Sequence, residues 1–223
     1  MNKGVVSVLV AYLIWGLYPF YFHAMQHVAP TEIVIHRVLW TFALLAVYLF
    51  CSRLWRWIQK AITDRRTVAV FLMSSVLITA NWSTYTYAIV TNQTLEASLG
   101  YFMNPLVSVL LGTVFLKEKL NKAQMLAIVF ACAGVMWVTF KQGEFPALGL
   151  TLALSFGFYG LVRKMAPLGS LEGLTLETAF AFPVALLATF YFAGNGDLTF
   201  VHGTSWDKFW LIMAGPITTI PLI

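Results

Sequence analysis

The sequence predicts an all-α integral membrane protein, a helical bundle of inverted five-helix repeats. Three observations carry that prediction. The 223-residue chain is 60% hydrophobic and 16% aromatic but only 10% charged, whereas a soluble domain carries roughly a quarter charged residues. Its apolar residues fall in recurrent runs close to the ~20 residues an α-helix needs to cross a hydrocarbon core about 30 Å thick. Stretches such as Val68 to Ala80 do not alternate as barrel strands would. Finally, a weak internal match at an offset of 141 residues lays Trp15-Gly-Leu-Tyr18 on Phe156-Gly-Phe-Tyr159, and Met73 to Trp82 on Ala214 to Ile223.

Spans are expected near 4–25, 31–52, 67–90, 95–116, 121–140, 147–165, 173–193 and 208–223. The first follows Met1-Asn-Lys3 and is interrupted by Pro19. Its apolar run exceeds that of a signal peptide and no small-residue cleavage site follows, so it is retained. The second carries Glu32-Ile-Val-Ile-His36-Arg37 and ends at a basic break, Arg53 to Arg66. Within that break Leu54, Ile58 and Ile62 stand at helical spacing, as in a short interfacial helix lying on anionic lipid. The third span contains Asn81, Trp82 and Tyr85. The fourth opens with Glu96, includes Tyr101 and is interrupted at Asn104-Pro105, where a proline removes a backbone donor. Ser108 and Gly112 in this span, and Gly149, Ala153 and Gly157 in the sixth, recur every four positions and permit close helix approach. The seventh holds Glu177, and the eighth reaches Ile223 in mid-span.

Five helices per copy is an odd number, so the second copy enters the membrane from the opposite side, as in many secondary transporters. The expected division is a complete first repeat over 1–141 and an incomplete second over 142–223. About seven and a half of ten helices are present, and the ninth and tenth are missing. The sequence therefore reads as a fragment or a truncated product that does not transport by itself.

Orientation follows from lysine and arginine, which collect in cytoplasmic loops. With the N-terminus inside, Lys3, the Arg53–Arg66 cluster, Lys117, Lys119, Lys122, Arg163 and Lys164 are all cytoplasmic. Only Lys141 and Lys208 face outward, and Arg37 is in the membrane. The net charge of +5 and pI near 9.3 thus report topology and leave no argument for a nucleic-acid partner. Cys51 and Cys132 are too few and too far apart for a metal or redox motif and read as packing residues. No metal or cofactor is expected.

His36 and Arg37 are the anomaly. An ionised arginine at a helix centre costs about 2.5–3.5 kcal/mol on insertion scales and is rarely left facing lipid. Arg37 either snorkels to the headgroups or faces a cavity. The internal match sets His36 against Glu177 and Arg37 against Thr178, placing a cationic pair in the outer half and a carboxylate in the inner half of equivalent helices. Glu96 is the expected ion partner of Arg37. His36 either titrates near neutral pH and carries a coupled proton or is a hydrogen-bonded packing residue. Asn81, Trp82, Tyr85 and Tyr101 suit a partly apolar organic solute, and equally suit helix packing with an aromatic belt.

Trp15-Gly-Leu-Tyr-Pro19, Glu32-Ile-Val-Ile-His-Arg37 with Trp40, Asn81-Trp82 with Tyr85, and Ala97-Ser-Leu-Gly-Tyr-Phe-Met-Asn-Pro105 together resemble the EamA branch of the drug/metabolite transporter superfamily, in its RarD subfamily. The resemblance covers the whole chain and is best over the first four helices. It implies a ten-helix carrier of the bacterial inner (plasma) membrane with both termini inside. Such a carrier moves small organic metabolites, amino-acid-like solutes or drugs by alternating access, with export the expected direction. The subfamily's name is linked to chloramphenicol sensitivity. It also implies Trp15, Tyr18, His36, Arg37, Asn81, Tyr85, Tyr101 and Asn104 as cavity residues, to which the repeat adds Glu177. A channel or a structural membrane subunit is the alternative. An enzyme is not expected, since there is no H-E-x-x-H, no G-x-S-x-G and no intramembrane aspartate pair. The residues leave substrate, coupling ion and oligomeric state open.

Overall fold

The structure, a computed structural model, describes residues 3–143 and 145–222. Ile223, where the internal match ends, lies outside the described residues, as does the side chain of Lys3. Among the described residues all regular structure is helical: α1 (Lys3–His23), α2 (Pro30–Ser52), α3 (Arg56–Thr63), α4 (Arg65–Val90), α5 (Thr94–Phe115), α6 (Lys122–Gln142), α7 (Ala147–Lys164), α8 (Ser170–Asn195), α9 (Thr199–His202) and α10 (Ser205–Leu222). Each expected span coincides with one long helix. Five of them, α2, α4, α5, α6 and α8, are by length and composition alone apolar enough to cross a membrane. The basic break contains α3, on which Ile62 is exposed with Arg56 and Lys60 and Trp57 packs on the core, while Leu54 and Trp55, also exposed, precede the helix. The short α9 was not expected.

Local signals account for the helix ends. Asp64 caps α4, accepting from the amides of Arg66 and Thr67, and Asn121 with Gln124 forms a reciprocal capping box on α6. Gly143 and Gly196 close α6 and α8 with φ of 71° and 76°, the left-handed conformation that glycine adopts without strain. The prolines are not interruptions, contrary to expectation. α1 and α5 run on through Pro19 and Pro105, and α8 and α10 through Pro183 and Pro216.

α2 is the central post, packed by α4, α8 and α10. Seven successive residues, Glu32 to Val38, are buried. Two full turns are thus enclosed all round, which explains why the sequence there lacks a polar face. α7 lies against α4 and α5, α1 against α4 and α10, and α6 leans on α5 with none of its apolar span buried. The α5–α7 seam is close because its side chains are small. A Cβ on Gly100 would fall 2.9 Å from the carbonyl oxygen of Gly149, and one on Gly157 would fall 2.6 Å from Val107 Cγ1. Segments 1–141 and 142–223 therefore interleave, α5 with α7 and α2 with α8 and α10.

Candidate functional site

Six of the nine residues singled out from sequence line one cavity at the meeting of α1, α2, α4, α5, α7 and α10: Trp15, Tyr18, Arg37, Asn81, Tyr85 and Tyr101. Ile78, Trp82, Phe156 and Leu222 complete its wall. Its free volume is about 50 Å³, room for water but far below the roughly 300 Å³ at which organic-ligand pockets begin. Tyr101, 55% exposed, forms the open rim, its ring edge-on to Tyr85 at 5.8 Å.

Arg37 is 3% exposed and does not snorkel. Its Nε donates to Thr218 Oγ1 at 3.0 Å, and its guanidinium carbon lies 4.6 Å from the Trp82 ring centroid and 5.9 Å from those of Tyr18 and Phe22. Nη1 has no hydrogen-bond partner among the described residues. Two other wall residues are fixed by helix contacts. Tyr18 donates to the carbonyl of Ile217 at 2.8 Å, and the Asn81 amide donates to the Leu152 carbonyl and to Ser155 Oγ at 3.2 and 3.1 Å, tying α4 to α7.

Four sequence candidates, His36, Asn104, Glu96 and Glu177, stand elsewhere. His36 is buried behind the wall, where its Nδ1 accepts from Trp40 Nε1 at 3.0 Å and its ring packs on Phe200. Its Nε2 is 4.0 Å from Glu32 Oε1. Asn104 is half-buried and accepts only a long bond, 3.5 Å, from Ser108. Glu96, the expected partner of Arg37, accepts from the amide of Leu148 in the first turn of α7 at 3.1 Å and forms no ion pair with Arg37. A helix start with unsatisfied amides competes successfully for that carboxylate.

Glu177 forms a second polar cluster, separate from the cavity. Its carboxylate accepts from Ser74 Oγ and, at 3.3 Å, from Tyr159 OH, and it lies 3.7 Å from Arg163 Nε. Arg163, read from sequence as a loop cation, folds back from the last turn of α7, donates from Nη2 to the carbonyl of Gly169 at 3.0 Å and stands over Phe71. It fits because residue 173 is glycine: a Cβ there would fall 1.7 Å from Arg163 Nη1.

Sequence reading passed over Glu32, Arg163, Ser74, Tyr159 and Thr218. Tyr159 carried a signal, since the internal match lays it on Tyr18. Glu32 sits four residues before His36, and its buried carboxylate accepts from the amides of Thr199 and Phe200 at 2.9 and 2.7 Å, tying α2 to α9. Ser74 and Thr218 are ordinary hydroxyls in apolar runs, and nothing in the sequence distinguishes them.

A bundle of apolar helices around a cation, a carboxylate and a ring of aromatics defines a multi-pass membrane protein with a polar interior. Ionisable groups enclosed in such an interior are costly and mark a functional site. The chain belongs to the EamA-like transporter family, whose model matches residues 2–140. It is 40% identical to the uncharacterized transporter YojE of Bacillus subtilis over 227 residues and 38% identical to protein RarD of Escherichia coli over 222, in each case over 100% of this chain and 75% of the relative. A chloramphenicol-sensitive protein RarD of Pseudomonas aeruginosa is 28% identical over 216 residues, 95% of this chain and 71% of its own length. These bacterial relatives bear the names of transporters and RarD proteins.

Proposed function

We propose that this protein is a secondary transporter that moves a small organic solute through the Arg37 cavity by alternating access. The single observation that carries the proposal is a fully buried guanidinium set among aromatic rings inside a bundle of this family. A charge held there without service to the fold is costly, and a solute path gives it a use. A free volume of about 50 Å³ suits a closed state, from which rotation of the Tyr101 rim would admit a solute.

The two-repeat organisation is part of the proposal, with the first repeat over 1–141 and the second over 142–223. Helix pairing supports it. Under the 141-residue offset α2 corresponds to α8 and α4 to α10, and α2–α10 and α8–α4 are both packed pairs; so are the corresponding pairs α1–α10 and α7–α4. Tyr18 and Tyr159 fall on one another under the same offset, and each donates its hydroxyl to another helix, Tyr18 to the Ile217 carbonyl on α10 and Tyr159 to Glu177 on α8. The basic loops support a cytoplasmic N-terminus, and outward movement rests on the resemblance to metabolite exporters.

The test is counterflow of labelled amino acids and chloramphenicol in proteoliposomes of the full-length protein, wild type against Arg37→Ala at equal folded reconstitution. Saturable flux abolished by the substitution is expected. Flux through wild type that survives Arg37→Ala unchanged overturns the site, and flux that never saturates replaces a carrier with a channel. An imposed pH gradient in the same vesicles reads proton coupling, for which His36 is the candidate carrier.

A further inference from the structure

The cavity holds a cation with an open coordination and no counter-charge. Arginine remains ionised under all ordinary conditions and presents five N–H donors in a planar fork. At Arg37 one donor reaches Thr218, while Nη1 reaches nothing among the described residues. No described carboxylate lies within ion-pair distance of it. Of the half-buried and buried ones, Glu32 is engaged by the amides of α9, Glu96 by Leu148, Glu177 by Ser74, Tyr159 and Arg163, and Asp207 by Thr204 and His27, while Glu172 stands in the first turn of α8 beside Gly169. Arg163 shows how the same fold treats a cation it needs for structure, with a carboxylate at 3.7 Å. Around Arg37 it supplies ring faces instead, which attract the charge but accept no in-plane hydrogen bond from Nη1.

A solute entering this cavity either completes the arginine's coordination or leaves it incomplete. A cationic solute is repelled. A neutral one, chloramphenicol included, leaves the guanidinium without a counter-charge. A carboxylate offers two coplanar acceptors that match two N–H donors of the fork, and the free volume of about 50 Å³ beside Arg37 suits that group. The rest of the wall, Trp15, Trp82, Tyr85, Tyr101 and Phe156, offers ring faces to an apolar or aromatic body once the Tyr101 rim has moved. Resting on the transport reading above, we infer that the solute is an organic monoanion, a carboxylate on an apolar or aromatic body, and that Nη1 of Arg37 is the donor that selects it.

The test uses full-length protein in detergent and matched pairs of probes: acetate, benzoate, phenylacetate and indole-3-acetate, each against its primary amide, with phenethylamine as the cation. Calorimetry gives each Kd. At least one carboxylate is expected to bind about tenfold or more tighter than its amide, the difference a charged hydrogen bond supplies. Arg37→Gln erases that preference, and Arg37→Lys, a point charge without the fork, keeps part of it. Equal binding of acid and amide, no response to any carboxylate, or a preference that survives Arg37→Gln overturns the inference. Should Arg37→Gln fail to fold, the acid and amide series on the unaltered protein decides. Counterflow of the same compounds separates the two readings. Saturable flux of amides or phenethylamine but not of acids sinks the anion inference and leaves transport standing. Carboxylate binding without any flux sustains the anion site and removes the transport reading.

Discussion

Glu177 and Arg163 meet between α8 and α7 with 3.7 Å from Oε1 to Nε, the carboxylate fully buried and the arginine side chain 17% exposed. Removing one partner of a buried pair costs more than the pair contributes, because the other charge is left uncompensated. Glu177→Ala is therefore expected to lose about 3 kcal/mol of stability, while the double change Glu177→Leu with Arg163→Met restores most of it. Unfolding of the purified variants by graded SDS in mixed micelles measures both. A double variant as unstable as the single one would show that the carboxylate acts through Ser74 and Tyr159 and that the ion pair is incidental.

The two contacts that steady Arg37 differ in size. Trp82→Leu removes a desolvated cation–π contact of about 2 kcal/mol together with ring packing. Thr218→Val removes one hydrogen bond, which in membrane proteins averages about 0.6 kcal/mol. The expected order in the same unfolding assay is Trp82→Leu well below Thr218→Val, and the reverse order would make the hydrogen bond the anchor.

At the α5–α7 seam, Gly100→Ala presses a methyl against the Gly149 carbonyl, and Gly149→Ala presses one against that of Glu96, each at 2.9 Å. Backbone on both sides leaves little room to yield, so each change is expected to cost about 1–3 kcal/mol. Gly16 and Gly134 have open space at the same position, and alanine there gains about 0.8–1 kcal/mol of helix propensity. Midpoints of thermal denaturation for the four variants check the contrast.

Outside the membrane, Asp64 gives a pH-dependent helix start. Hydrogen bonds from the Thr67 hydroxyl and amide hold its carboxyl below the usual aspartate range. A depressed folded pKa makes the cap's contribution complete above the unfolded value and lost as pH falls through the folded one. Amide hydrogen exchange at Arg66 and Thr67, corrected for intrinsic rates, is expected to accelerate on acidification in the wild type. Asp64→Asn, which caps without titrating, is expected to hold its protection level flat across the same range.

Much of the fold was legible because lipid imposes length: each apolar run between basic breaks became a helix, and Gly149, Ala153 and Gly157 marked the sixth of them as the partner in a close seam. The prolines misled, since Pro19 and Pro105 stand on exposed positions of helices that run on past them, and one missing donor does not by itself end a helix. At the site, the aromatic and amide residues of α1, α4 and α5 were visible as polar groups in apolar runs, and the cavity brings them together. Partners were not visible. Glu96 lay at a plausible depth for Arg37, but the free amides of α7 engage it, and only the three-dimensional path shows that. Arg163 looked like one more loop cation because its return into the bundle depends on a missing methyl at Gly173.

The polar groups of α2 are completed by residues far downstream of it. Glu32 finds its donors 167 and 168 residues downstream, and Arg37 its acceptor 181 residues downstream. At synthesis rates of 5–20 residues per second, that delay is roughly 10–40 s. Throughout that interval a carboxylate and a guanidinium must be harboured at the insertion machinery or beside headgroups while α4 to α8 are made. The polar contacts of α2 therefore close only once α9 and α10 have been made, so the settling of an early span waits on helices far downstream of it.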